Sequence, residues 1–232
     1  GKMSIAENLS FVEAEVSDAA ARVGRLADEI TLIAVSKTWP VDVIQEAVGA
    51  GHRIFGENKV QEIVEKVPAM SSELRWHLIG HLQKNKTRKV LPHCAMIHSV
   101  DSFDLAVQID RIAGELGLKP EILLQVNVAR DEAKFGLAAE ELEHIVVEVA
   151  QLERVQLKGL MTVPAFDPDP EKVRPHFAAL RKLRDQLIAS TGVELSELSM
   201  GMSHDFRAAI EEGATQIRVG SSIFGQRDYS HS

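Results

Sequence analysis

Eight short apolar runs recur along the chain, and most are followed by a stretch whose apolar residues return at helical spacing. The runs read TLIAVS, HRIFGE, RWHLIG, AMIHSV, EILLQVNV, LKGLMTVP, ELSMGM and TQIRVGS. Between them lie segments such as VDVIQEAVGA, VQEIVEKV, SFDLAVQIDRIAGELG, AEELEHIVVEVAQL and DPEKVRPHFAALRKLRDQLIAS. Continuous apolar strands suit a sheet covered on both faces, and their alternation with helices points to parallel order. Eight such units predict an α/β fold of the closed (β/α)8 TIM-barrel kind. Ahead of the first strand, Ser4 to Glu29 repeats Ile5, Leu9, Val12, Val16, Ala20, Val23 and Leu26 at helical spacing, which predicts an N-terminal helix. The competing architecture is a doubly wound open sheet. It would want a glycine-rich turn after the first strand, where this chain has Lys37. At 232 residues and 45% hydrophobic, the chain suits one core, so residues 1–232 are read as a single domain.

Charge and cysteine content narrow the setting. A net charge of -8 and a pI near 5.6 lack the basic footprint of a nucleic-acid binder, so no nucleic-acid partner is expected. Cys94 is the single cysteine and cannot close an internal disulfide; it reads as a buried or partly buried small hydrophobe. No apolar run approaches a membrane span or a signal segment. A reducing cytoplasm fits, with no membrane partner. The basic run KNKTRK, Lys84 to Lys89, reads most simply as a solvated first helical turn, with a phosphate- or nucleic-acid-binding patch as the alternative.

In a TIM barrel the C-terminal strand ends converge on one face, where the active site lies. Here they supply Lys37, Glu57, Asn58, His77, Gly80, Ser99, Asp101, Asn127, Met161, Pro164, Met200, Ser203, Arg218, Gly220 and Ser221. A lysine desolvated among apolar strand residues has a lowered pKa and keeps some free amine able to attack an aldehyde; the alternative is a lysine snorkelling to the surface. His77 and His81 stand four apart, a zinc spacing on a helix, but on a strand running into a loop they lie about 13 Å apart. No metal site is expected.

The block from Ser199 to Gly225, SMGMSHDFRAAIEEGATQIRVGSSIFG, carries a second constellation. Ser203 and Asp205 stand at the start of a short helix, and Gly220-Ser221-Ser222 is a small-residue turn after the last strand, so together they can receive a phosphate at the habitual place of this barrel. A capped helix beside an ordinary turn is the bland reading of each half. Arg218, two residues before Gly220, shares its side of the strand and can point into the mouth. As a donor-only cation it would keep a facing pyridine nitrogen unprotonated; a structural ion pair is the alternative.

Several motifs together resemble the pyridoxal phosphate homeostasis proteins, single-domain relatives of the alanine racemase N-terminal barrel. They are AVSK (Ala34 to Lys37), FGENKVQE (Phe55 to Glu62), WHLIGHLQKNK (Trp76 to Lys86), HSVDS (His98 to Ser102), KFGL (Lys134 to Leu137), GLMTVP (Gly159 to Pro164) and the Ser199–Gly225 block. The resemblance implies a fold-type III barrel without a C-terminal β-domain, carrying pyridoxal 5'-phosphate as a Schiff base on Lys37. It further implies phosphate contacts at Ser203, Gly220 and Ser221, Arg218 near the pyridine nitrogen, and Asn58, His77 and Met200 in the pocket wall. Departures from the family pattern are Lys59, His81 and Ser221-Ser222, none of which removes a function-bearing group. The implied role is cofactor buffering or delivery in amino-acid and keto-acid metabolism, without strong catalysis, by a monomer that meets the cofactor, free amino acids and apoenzymes. A fold-type III racemase or decarboxylase is the alternative. Racemisation needs an acid/base group on each face of the substrate, and Tyr229 is the one tyrosine available to oppose Lys37, so efficient racemisation is not expected.

Overall fold

The computed structural model describes residues 3–131 and 135–226. Eight parallel strands close into a barrel in chain order: β1 (Thr31–Val35), β2 (Ile54–Glu57), β3 (Arg75–Leu78), β4 (Met96–Val100), β5 (Glu121–Gln125), β6 (Gln156–Met161), β7 (Glu197–Ser199) and β8 (Gln216–Val219), with β8 paired back onto β1. Helices α1 (Ile5–Arg22), α2 (Val41–Gly49), α3 (Val60–Lys66), α4 (Thr87–Val90), α5 (Phe103–Leu116), α6 (Leu142–Ala150), α7 (Pro170–Thr191), α8 (Phe206–Glu211) and α9 (Ser221–Phe224) complete the fold. The predicted barrel is therefore the observed one. Among the described residues no helix is long and apolar enough to cross a membrane.

Local chemistry sets the helix ends. Ser4 caps α1 by accepting from Glu7 N at 3.1 Å, while Glu7 Oε1 accepts from Ser4 N, and Leu9, Val12, Val16, Ala19 and Ala20 form the buried stripe. The helix stops at Arg22 rather than running to Glu29, because Gly24 turns the chain at φ +70°. Val23 and Leu26, expected on the buried stripe, consequently lie exposed. Ser102 caps α5 by accepting from Leu105 N. Asp169 caps α7, which has Pro170 in its first turn and Gly192 in the left-handed conformation just past its end. KNKTRK forms a 3-10 turn, Lys84–Lys86, that runs into α4, with Lys84 paired to Asp104 and Arg88 to Glu115.

Strand alternation divides the barrel into two environments. Outward residues such as Phe55, Trp76 and Leu78 pack with helix residues such as Ile44, Ile63 and Phe177 in one apolar shell, against which the half-buried Cys94 also rests. Inside lies a smaller apolar cluster of Met96, Leu123 and Met161 with Val163. The interior also holds Ile33 beside Arg218 and the buried polar residues His77, His98, Ser199, Gln216 and Arg218. Strands β6 and β7 approach so closely that a Cβ on Gly159 would stand 1.8 Å from the Glu197 carbonyl oxygen. Gly159→Ala should therefore cost about 1–3 kcal/mol or more of stability, lowering Tm by several degrees in a thermal melt. An unchanged melting temperature would show that the seam can open without cost.

Candidate functional site

Closure of the barrel puts its last strand beside its first. Ile33 is level with Arg218 and Ala34 with Val219, so the residues after Val219 emerge next to those after Val35. A Cβ on Gly220 would lie 3.3 Å from both the Val35 Cβ and its carbonyl oxygen, so glycine lets the two strand ends come together. Lys37 follows β1 at this edge and is exposed. The water-poor surroundings expected of it are thus not found: the chain leaves the barrel at Ser36, the last buried residue of the segment.

The loops after β7 and β8 meet as expected. Ser203 Oγ accepts from Gly220 N at 3.1 Å and from Ser222 N at 3.3 Å, tying the two loops to each other. With its lone pairs engaged in this way, the hydroxyl retains its proton to offer to an anion. Asp205 steadies the first loop by accepting from Met202 N at 2.8 Å, and Ser221 stands exposed at the start of α9. The hydroxyls of Ser203 and Ser221 make a donor corner beside the Gly220 and Ser222 N–H groups, whose bonds to Ser203 Oγ an arriving anion would share, with no carboxylate in those contacts.

Arg218 lies inside the barrel, 3% exposed. Its guanidinium donates from Nη1 to Ser199 Oγ at 2.5 Å and from Nη2 to the Thr162 carbonyl at 3.0 Å. These partners are neutral, so the ion pair considered as an alternative is not what holds it. Burial pulls its pKa down to about 10, which leaves it a cation at neutral pH. Ser199 in turn lies 2.8 Å from His98 Nδ1, and His98 Nε2 lies 2.8 Å from His77 Nδ1. The direction of this chain follows from its first member. Arginine can only donate, so Ser199 accepts from Arg218; its own buried proton needs an acceptor, and among the described residues His98 Nδ1 is the one within hydrogen-bond distance. His98 then carries its proton on Nε2 and donates to His77 Nδ1, and the His77 proton lies on Nε2. Both rings are neutral: burial, together with Arg75, brings His77 down to about 3, and burial with His77 and Arg218 holds His98 well below the usual range.

Other expected site residues divide. Asn58 is half-buried at the end of β2, packed so closely that a Cβ on Gly80 would stand 2.2 Å from its carbonyl oxygen. His77 sits lower than a strand-end position implies, since it also lines a cavity of about 270 Å³ at the N-terminal ends of the strands, together with Arg75, Glu121, Glu197 and Gln216. Met200 is fully buried in the apolar shell between barrel and helices, because Ser199 takes the inward position and the next residue must face out. Glu57 also points outward, to Lys66. Asn127 Nδ2 donates to the Asp131 carbonyl at 2.6 Å. His81 stacks on Phe135 with centroids 4.1 Å apart, and its Nδ1 is 3.4 Å from Asp101 Oδ2, so His77 and His81 serve different neighbours. Lys134 and Tyr229 lie outside the described residues. Sequence reasoning missed His98, Ser199 and Thr162 as the support of Arg218. Alternation from Met96 to His98, and from Arg218 across to its neighbours, was the signal that could have found them.

Residues 13–228 match the family described as alanine racemase, N-terminal domain. A protein of Aquifex aeolicus named pyridoxal phosphate homeostasis protein is 42% identical over 228 residues, covering 98% of this chain and all of that protein. The chain belongs to the pyridoxal phosphate homeostasis protein family. The solved structure of PipY from Synechococcus elongatus with PLP bound is 41% identical and covers 96% of this chain and 100% of that one, with a TM-score of 0.87. Alanine racemase of Clostridium difficile shares the fold alone: TM-score 0.75 at 19% identity, over 96% of this chain and 58% of that one.

The proton assignment has a direct check. Below the ordinary histidine pKa of about 6.5 the unfolded chain binds protons that His77 and His98 refuse, so stability falls with decreasing pH through this window, by about 1.4 kcal/mol per unit for each such histidine. Long-range 1H–15N spectra should show two imidazoles of the Nε2–H tautomer that do not titrate between about pH 5 and 8. Titration of either ring near 6.5 would break the chain at that residue.

Proposed function

We propose that this protein binds pyridoxal 5'-phosphate and serves its homeostasis in the cytoplasm, with Lys37 as the point of covalent attachment. The observation that carries this reading is the meeting, at one edge of the barrel mouth, of an exposed lysine, a donor-rich corner and a buried arginine on adjoining strands. The residues present fit the group. Gly220 allows a close approach to the backbone, and the N–H and hydroxyl donors at Ser203, Gly220, Ser221 and Ser222 suit a phosphate. When bound, pyridoxal 5'-phosphate supplies an aldehyde that condenses reversibly with amines and a ring that can accept electron density.

Each residue then has a role. Ser203, Gly220 and Ser221 bind the phosphate, and Asn58 borders the pocket. Lys37 would present its amine to the aldehyde and hold the cofactor covalently. Arg218 would serve the ring nitrogen as a cation that cannot accept a proton, and the Ser199–His98–His77 chain keeps its guanidinium in place. An unprotonated ring is a poor electron sink, which disfavours proton removal from a bound amino acid. This supports storage and delivery over turnover, with free amino acids and apoenzymes as the species that would draw the cofactor away.

Borohydride treatment of the cofactor-loaded protein should fix the cofactor irreversibly to the peptide containing Lys37, and Lys37→Ala should lose both the visible absorption band and the label. Retention of band and label in Lys37→Ala would place the attachment elsewhere. Ser203→Ala should weaken cofactor binding by about one to two decades, the worth of about 1.5–3 kcal/mol for a hydrogen bond to a charged group. Unchanged affinity in both Ser203→Ala and Ser221→Ala would remove the phosphate from this corner.

A further inference from the structure

Beneath the loop that carries Lys37 lies a buried charge cluster that the proposed cofactor site does not use. Lys66, the last residue of α3, is 7% exposed, and its ammonium reaches Glu57 Oε2 at 2.9 Å, Glu62 Oε1 at 2.8 Å and the Ser36 carbonyl at 3.0 Å. Those contacts use all three of its donors. Each carboxylate takes a second bond, and both second bonds go to the neighbours of Lys37. Glu57 accepts from the Ser36 hydroxyl, and Glu62 Oε1 accepts from Thr38 N at 2.8 Å. Ser36 is further held by its N–H to the Gly56 carbonyl at 3.0 Å, and its own carbonyl also accepts from Trp39 N.

We propose that Lys66, acting through Glu57 and Glu62, is the positioning residue of Lys37, fixing the backbone on both sides of it so that the amine is held ready for covalent capture of the cofactor. The proposal rests on the cofactor reading above. Thr38 has φ +69°, a left-handed conformation that costs a β-branched residue about 1–3 kcal/mol unless its surroundings impose it. The Glu62 bond to its N–H is such an imposition. A buried ion pair is often matched in stability by apolar residues of the same volume, so what this one adds is the single geometry it selects. That geometry concerns Lys37, which is exposed and for whose side chain no hydrogen bond or ion pair is found among the described residues.

In the captured state Lys37 Nζ, reacting as the neutral amine, forms a C=N bond to the aldehyde carbon. The aldehyde oxygen leaves as water with both amine hydrogens, and no electrons are transferred. Fixing Ser36 and Thr38 affects this step and leaves the phosphate corner, on other loops, unchanged. The two properties therefore separate in experiment.

The test uses the full chain and two ligands: pyridoxal 5'-phosphate, followed by the growth of its visible band and by borohydride labelling, and pyridoxine 5'-phosphate, which lacks the aldehyde. Glu62→Ala removes the acceptor of Thr38 N–H while leaving Lys66 its partner Glu57; Lys66→Met removes the ammonium. Covalent capture should slow by about 10- to 100-fold in either folded variant, as expected when a reacting group loses its orientation, while affinity for pyridoxine 5'-phosphate stays within about twofold. Should Lys66→Met fail to fold, Glu62→Ala decides alone. Capture at the wild-type rate in every folded variant overturns the proposal, as does an equal loss of affinity for pyridoxine 5'-phosphate. Absence of a label at Lys37 in the wild-type protein overturns instead the cofactor reading on which the proposal stands.

Discussion

The hydrogen-bonded seam between β8 and β1 is the contact on which the site depends. It joins residues more than 180 positions apart, setting Arg218 level with Ile33 and bringing the turn at Gly220 against Val35. Until that seam closes, the lysine, the anion-binding corner and the buried arginine belong to opposite ends of the chain. Once it closes, they share one edge of the barrel mouth. Function is thereby coupled to completion of the barrel, because no single βα unit contains a working part of the site.

The seam also fixes where charge must be buried. Arg218 enters the barrel interior with neutral partners, an arrangement in which its desolvation is offset by hydrogen bonds to Ser199 and Thr162. The Ser199 hydroxyl accepts from Arg218 and gives its proton to His98 Nδ1, which orders the protons of His98 and His77 behind it, and the histidines stay neutral, which spares the interior further positive charges. On the other side of β1 the solution differs: Lys66, Glu57 and Glu62 form a paired cluster whose remaining bonds go to Ser36 and Thr38. One buried cation faces the interior and one the helical shell, and Lys37 leaves the barrel between them.

Much of this was legible in the sequence because it depended on period and order. Eight apolar runs alternating with helical segments specified the barrel, and the positions of Lys37, Ser203, Arg218 and Gly220 at strand ends specified which of them would meet. Features that depended on the direction of single side chains were less accessible. Met200 was expected in the pocket and faces the shell, a consequence of Ser199 taking the inward position; Glu57 was expected in the ring of strand ends and turns outward to Lys66. His77 proved deeper than its neighbours suggested, and Lys37 more exposed. His98 was visible in its motif, but its pairing with Ser199, which lies 101 residues away, arises only when strands β4 and β7 share an interior.

A crystal structure of the full chain loaded with pyridoxal 5'-phosphate tests the central claim most directly. The account predicts continuous density joining Lys37 Nζ to the cofactor, the phosphate against the backbone and hydroxyls of Ser203 and residues 220–222, and the Arg218 guanidinium facing the ring nitrogen. Density for the cofactor at another place, or a phosphate seated away from Gly220 with Lys37 unmodified, would contradict it.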